Sequence, residues 1–108
     1  MAGPQHQPLD EFRHLRIQAA QTRLRAIQSQ VALGLTFCSV AELELKIGHS
    51  ERIRKVIENL QRLSATVRRH LDEPDHVPSD AVEGVRTELV RLESRILALD
   101  EHERRQRR

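Results

Sequence analysis

Apolar residues return along the first half of this chain with the beat of a helix. Ile17, Leu24, Val31, Cys38 and Leu45 stand seven apart, and Ala20, Ile27, Gly34 and Ala41 form a companion set three places later. That is one face of a helical period, not the alternation of a strand. Proline is missing between Leu9 and Ile47, and Gly34 is the only glycine there. The pattern therefore predicts one helix over 9–47, with Asp10 and Glu11 favourably placed in its first turn. Within it, Ala26 to Ala41 carry no charge and read as the buried spine of the fold. A break near Gln28 to Gln30 or at Gly34 would turn the segment before it into a fourth helix, but no strong breaker stands there.

Gly48 is placed to end the first helix, and Ser50 to cap a second. The second helix is predicted over 51–71, with Ile53, Val56, Ile57, Leu60, Leu63, Val67 and Leu71 on its buried face. Asp72 to Pro78 holds two prolines and three acids and reads as a loop. A third helix is predicted over 80–105. Asp80 and Glu83 have the spacing of a capping box, and Val82, Val85, Leu89, Leu92, Ile96 and Leu99 give a heptad stripe. Short connections make consecutive helices antiparallel, so the fold class is all-α: an up-down-up antiparallel three-helix bundle with a long first helix. A coiled-coil pair is the nearest alternative. Gly34, Cys38 and Ala41 share a face at which another helix could pack closely.

The predicted lengths do not match. At 1.5 Å per residue the first helix spans about 60 Å and the second only about 30 Å, so Leu9 to Leu24 overhang the bundle. That overhang still carries Phe12, Leu15, Ile17, Ala20 and Leu24, continuing to Ile27. An apolar stripe with no partner in its own chain is usually covered by another chain, which points to a homodimer or a docked partner helix.

Composition narrows the class without changing it. A chain of 108 residues suits a single domain with one modest core, here 9–108 behind a lead over 1–8 that is expected to be disordered. Trp and Tyr are absent, Phe12 and Phe37 are the only aromatics, and Gly and Pro are few, as in all-helical proteins. The lone cysteine, Cys38, forbids an intrachain disulfide and fits a reducing cytoplasm. The first residues do not resemble a secretory signal, and the uncharged run falls short of the roughly 20 apolar residues that cross a bilayer. The expectation is a water-soluble protein with no membrane contact.

From Phe37 to Leu60 the chain resembles a single helix-turn-helix of the tetratricopeptide family. Phe37 stands at the large aromatic position, Val40 and Ala41 at an aliphatic and a small one, Gly48 in the turn and Ile57 at a large apolar position. Glu44, Ile53 and Leu60 depart from the family's pattern, no closing proline follows, and there is no second copy, whereas repeat arrays need three or more units. The resemblance implies a helical hairpin of a kind that often serves protein interaction, without an array's peptide groove.

Candidate chemistry is sparse. The six histidines are His6, His14, His49, His70, His76 and His102, and no two lie three or four apart on one helix, the spacing that aims two imidazoles at one metal. His70, Asp72, Glu73, Asp75 and His76 gather around the second loop, where a solvated connection is the expected reading and ligation the lesser one. Glu42 and Glu44 point to different sides of the helix and do not make a carboxylate pair. Glu42 is expected on a solvated flank, with Arg52 or Arg54 as its possible partner. Cys38 sits among apolar residues and is expected to be inert. No phosphate loop and no Ser-His-Asp arrangement is present. The sequence thus predicts no catalytic residue, metal, cofactor or small-molecule substrate.

Sixteen of the eighteen basic residues are Arg, and the pI is about 9.3. Arg13, Arg16, Arg23, Arg25, Arg68 and Arg69 form the candidate basic patch of the alternative reading, a binder of nucleic acid or an acidic partner. The net charge is only +2, however, and the tail pairs Asp100 with Arg104, Glu101 with Arg105 and Glu103 with Arg107 at helical spacing. No aromatic residues stand ready to stack on bases. The preferred expectation is a non-catalytic interaction module that self-associates through Phe12, Leu15, Ile17, Ala20, Leu24 and Ile27.

Overall fold

A computed structural model describes residues 3–49, 51–73 and 76–107. They form three helices, α1 (Gly3–Lys46), α2 (Ile53–Asp72) and α3 (Ser79–Arg107), with no strand among the described residues. α1 is unbroken through Gln28 to Gly34, so the four-helix alternative falls away. It begins six residues before the expected start at Leu9 and takes in most of the lead expected to be disordered. Pro4 then stands in the first turn, where a fixed φ and a missing N–H are compatible with a helix.

The turn after α1 is built as the glycine signal implies. Gly48 has φ +86, the left-handed region, and the chain reverses there. The N–H of His49 donates to Glu44 O at 2.9 Å and that of Gly48 to Leu45 O at 3.3 Å, the paired bonds of a Schellman motif. Ser50, the expected cap, lies outside the described residues. α2 starts at Ile53, after Arg52 in near-helical geometry without a side-chain cap bond. α3 starts at Ser79, one residue before the expected cap Asp80, because Ala81 N–H already closes a turn on Pro78 O. Asp80 therefore falls in the first turn, where its charge still opposes the positive end of the helix dipole.

α2 folds back along α1, and α3 returns parallel to α1: Arg23 meets His76 in the second loop, Glu42 meets Arg95, and Leu45 meets Gln106. The core is one cluster. α1 contributes Ile27, Val31, Cys38, Ala41 and Leu45, and α2 contributes Ile53, Ile57, Leu60, Val67 and Leu71. Val77 of the loop and Val85, Leu89, Leu92, Ile96 and Leu99 of α3 complete it. Burying each large aliphatic side chain contributes roughly 1.5–3 kcal/mol. At the centre the helices approach closely over Gly34, where a Cβ would stand 3.0 Å from a methyl of Leu63 and 3.0 Å from one of Leu92. An added methyl there would need the ends of Leu63 and Leu92 to give way by a few tenths of an ångström.

The molecule is a rod of 76 × 18 × 16 Å. α2 with 20 residues and α3 with 29 cover only the second half of the 44-residue α1. The length mismatch is real, and the bundle ends at the level of Arg23 and Leu24.

Candidate interaction surface

Before Ala20, every side chain described on α1 is exposed. Phe12 is 61% exposed, and Leu9, Leu15 and Ile17 are similarly open, because neither α2 nor α3 reaches them. Alongside the bundle, α1 shows a second apolar line that the sequence reading missed. Leu33, Phe37, Val40, Leu43 and Ile47 are all about half exposed or more, on the side of the helix turned from the core. Spacings of three, four and seven join them to Ala26, Ala19, Leu15 and Phe12, all exposed, so one continuous stripe runs nearly the length of α1. The uncharged run from Ala26 to Ala41 is thus apolar on two faces, of which only one is buried. By length and composition alone, α1 over Leu9–Lys46 is long and apolar enough to cross a membrane.

The six residues proposed from sequence separate. Phe12 and Leu15 stand on the outer stripe. Ile17, Ala20, Leu24 and Ile27 continue the core-facing side, and the bundle overtakes them in turn: Ile27 is 3% exposed, Leu24 packs on the core, and Ala20 lines a hollow with His76 and Pro78. Ile27 and Leu24 therefore leave the candidate interface, because α2 and α3 reach one turn farther than their lengths alone implied. Next to the outer stripe, Leu33 and Phe37 join Val56, Asn59, Leu60 and Leu63 of α2 around a groove of about 230 Å³.

Of the six arginines of the alternative patch, Arg13, Arg16 and Arg23 line one hollow, and the other three stand apart from it. Arg68 grips Glu93 with two hydrogen bonds, from Nε at 2.9 Å and Nη2 at 2.5 Å. Arg23 donates to the carbonyl of His76 at 2.5 Å, which fixes the second loop against α1. Arg13, Arg16, Arg25 and Arg69 enter no ion pair among the described residues. Arg13 and Arg16 flank the hollow beside Ala20, whereas Arg69 lies on α2.

Charged residues do more inside the bundle than the sequence implied. Glu42 pairs with Arg95 of α3 at 2.9 Å, not with Arg52 or Arg54. Arg54 instead bridges Asp100 at 2.6 Å and Glu103 at 2.7 Å, and Glu103 is only 2% exposed. The Arg54 hydrogen bond holds both carboxyls below their usual range, against the opposing effect of burial, and the same hydrogen bonds, to Glu103 first and then Asp100, raise Arg54 in turn. Two of the expected tail pairs form as well, Asp100 with Arg104 at 3.3 Å and Glu103 with Arg107 at 2.9 Å. Burial raises the Cys38 thiol, so this cysteine lacks the thiolate character of a nucleophile.

At the second loop three of the five clustered residues meet. The imidazoles of His70 and His76 stack with centroids 5.0 Å apart, and Glu73 Oε2 lies 3.0 Å from His76 Nδ1. One ligand atom from each of the three lies within 4.8 Å of the others. Asp72 turns away to Arg86 at 3.0 Å, and Asp75 lies outside the described residues. The absence of two histidines at helical spacing had argued against such a group. Here the chain reversal after α2, not a helix, brings the rings together.

Compared with family models, curated proteins and solved structures, the chain matches none of them.

Proposed function

We propose that the chain is a non-catalytic helical interaction module that pairs with a second copy of itself along the outer stripe of α1. The observation that carries this reading is the continuous exposed line from Phe12 to Ile47 on a helix half of which has no partner in its own chain. The pairing is antiparallel. About a two-fold axis between Ser29 and Gln30, Ala26 faces Leu33, Thr22 faces Phe37, Ala19 faces Val40, and Phe12 faces Ile47 of the other copy. Small residues meet large ones over the middle of the seam, the condition for knobs to enter holes, and two large residues, Phe12 and Ile47, close each end. The register also lays the bare half of each α1 beside the bundled half of the other. A parallel pair would instead set Ala against Ala and Phe against Phe along the seam.

Sedimentation at micromolar concentration tests the reading, with Leu33→Glu and Phe37→Glu as variants that leave the core intact. A dimer that both variants convert to a folded monomer is the expected result. Engineered cysteines test the register: Ser29→Cys should cross-link to itself, and Phe12→Cys should cross-link to Ile47→Cys but not to itself. A wild type that stays monomeric, or that joins phospholipid vesicles through the same stripe instead, overturns the proposal.

A further inference from the structure

The group at the second loop carries an inference independent of self-association. His70 stands half-buried beside Leu71, the last buried residue of α2, the helix stops at Asp72, and Glu73 in extended backbone, φ −71 and ψ 128, turns the chain so that His76 comes back over His70. The arrangement is held from three sides. His76 N–H closes a turn on Glu73 O, Arg23 of α1 holds the His76 carbonyl, and Val77 is anchored in the core. Arg86 of α3 draws Asp72 aside, which leaves Glu73 as the carboxylate facing the rings among the described residues.

Two imidazoles and a carboxylate are ligands for a borderline divalent metal, not for magnesium or calcium, which favour oxygen alone. Bonds of about 2.0–2.2 Å in a tetrahedral site put ligand atoms roughly 3.4 Å apart. From within 4.8 Å of one another, the three groups reach that spacing by a small closing movement, and Glu73 is free to make it because it stands exposed on the loop. A second observation points the same way. His70 Nδ1 is enclosed and has no hydrogen-bond partner among the described residues, the condition of a donor atom that lacks its acceptor or its ion.

We propose that His70, Glu73 and His76 form a site for one Zn²⁺-class cation, with three protein ligands and a fourth position left to water. The ion would staple the C-terminal end of α2 to the loop on which α1 rests through Arg23. It adds a fixed point where the bundle meets the bare half of α1.

The test uses the full chain, free of any histidine tag and stripped with EDTA, titrated with ZnCl₂ by calorimetry. The expected result is one Zn²⁺ per chain, bound at micromolar concentration or tighter, in wild type and in the Phe37→Glu background alike. Affinity should fall at least about tenfold in His70→Gln and in His76→Gln and stay unchanged in His49→Gln and His102→Gln. Circular dichroism checks that each variant is folded. If His70→Gln does not fold, the decision rests on His76→Gln and Glu73→Gln at the loop. Co²⁺ substituted for Zn²⁺ should give four-coordinate ligand-field absorption that His76→Gln removes. No binding below millimolar concentration, or equal losses in the His49 and His102 variants, would overturn the site.

Discussion

Arg54 shows how one side chain can tie two helices and set the acid limit of the fold. It satisfies Asp100 and Glu103 at once, and both carboxyls are depressed by that bond. A depressed carboxyl contributes stability that is complete above its unfolded pKa and is lost as pH falls through its folded value. The bundle should therefore lose stability below about pH 4, where Asp and Glu of an unfolded chain begin to bind protons. Urea titrations from pH 7 to pH 2 would show this slope, and Glu103→Gln should flatten it. Arg54→Met should cost about 2 kcal/mol at pH 7, because two carboxylates lose their common partner while Asp100 keeps Arg104 and Glu103 keeps Arg107. The tail pairs were legible in the sequence, since Asp100 to Arg104 and Glu103 to Arg107 are helical neighbours. Arg54 was not legible as their partner: it stands on another helix, and only the packing of α2 on α3 brings it there.

Among the elements, α1 differs from the other two. The core side of α2 and of α3 follows directly from the sequence period, and both helices lie close to their expected bounds, although α3 also exposes Val90 and Leu97, seven residues apart. α1 has two apolar sides, and a heptad count finds the first and assigns every neighbouring apolar residue to it. Leu33, Phe37 and Val40 fall inside the uncharged run from Ala26 to Ala41, which reads as buried spine. They are exposed because α2 and α3 together cover one side of α1 and no fourth helix covers the other. The bare half of α1 was visible in advance, because it follows from counting residues along each helix. A chain lacking residues 1–18 should keep the bundle, with an unfolding midpoint close to the full chain's, since nothing before Ala20 enters the core. The same truncation should weaken self-association strongly, as each copy loses Phe12 and Leu15. Thermal unfolding and light scattering on one preparation would check both outcomes.

At the scale of the molecule, a Cα radius of gyration of 19.4 Å compares with roughly 13 Å for a compact chain of this length. The excess is the rod of α1. Residue 29 lies near the middle of that rod, so an antiparallel dimer doubles the mass while its longest dimension stays at about 80 Å by helical rise. Small-angle scattering should find that combination. A dimer about twice as long as the 76 Å monomer would mean end-to-end contact instead.

Cys38 sits at the middle of all three scales. It is the sole thiol, it is fully enclosed, and it lies on α1 across from the proposed seam. A thiol reagent can reach it only when α2 or α3 lifts away. Its labelling rate is therefore a built-in clock for the opening of the bundle, readable in the unmodified protein. Zn²⁺ at the loop should slow that clock. Dissociation of the dimer by Phe37→Glu should speed it only as far as pairing along the outer face holds the inner one closed.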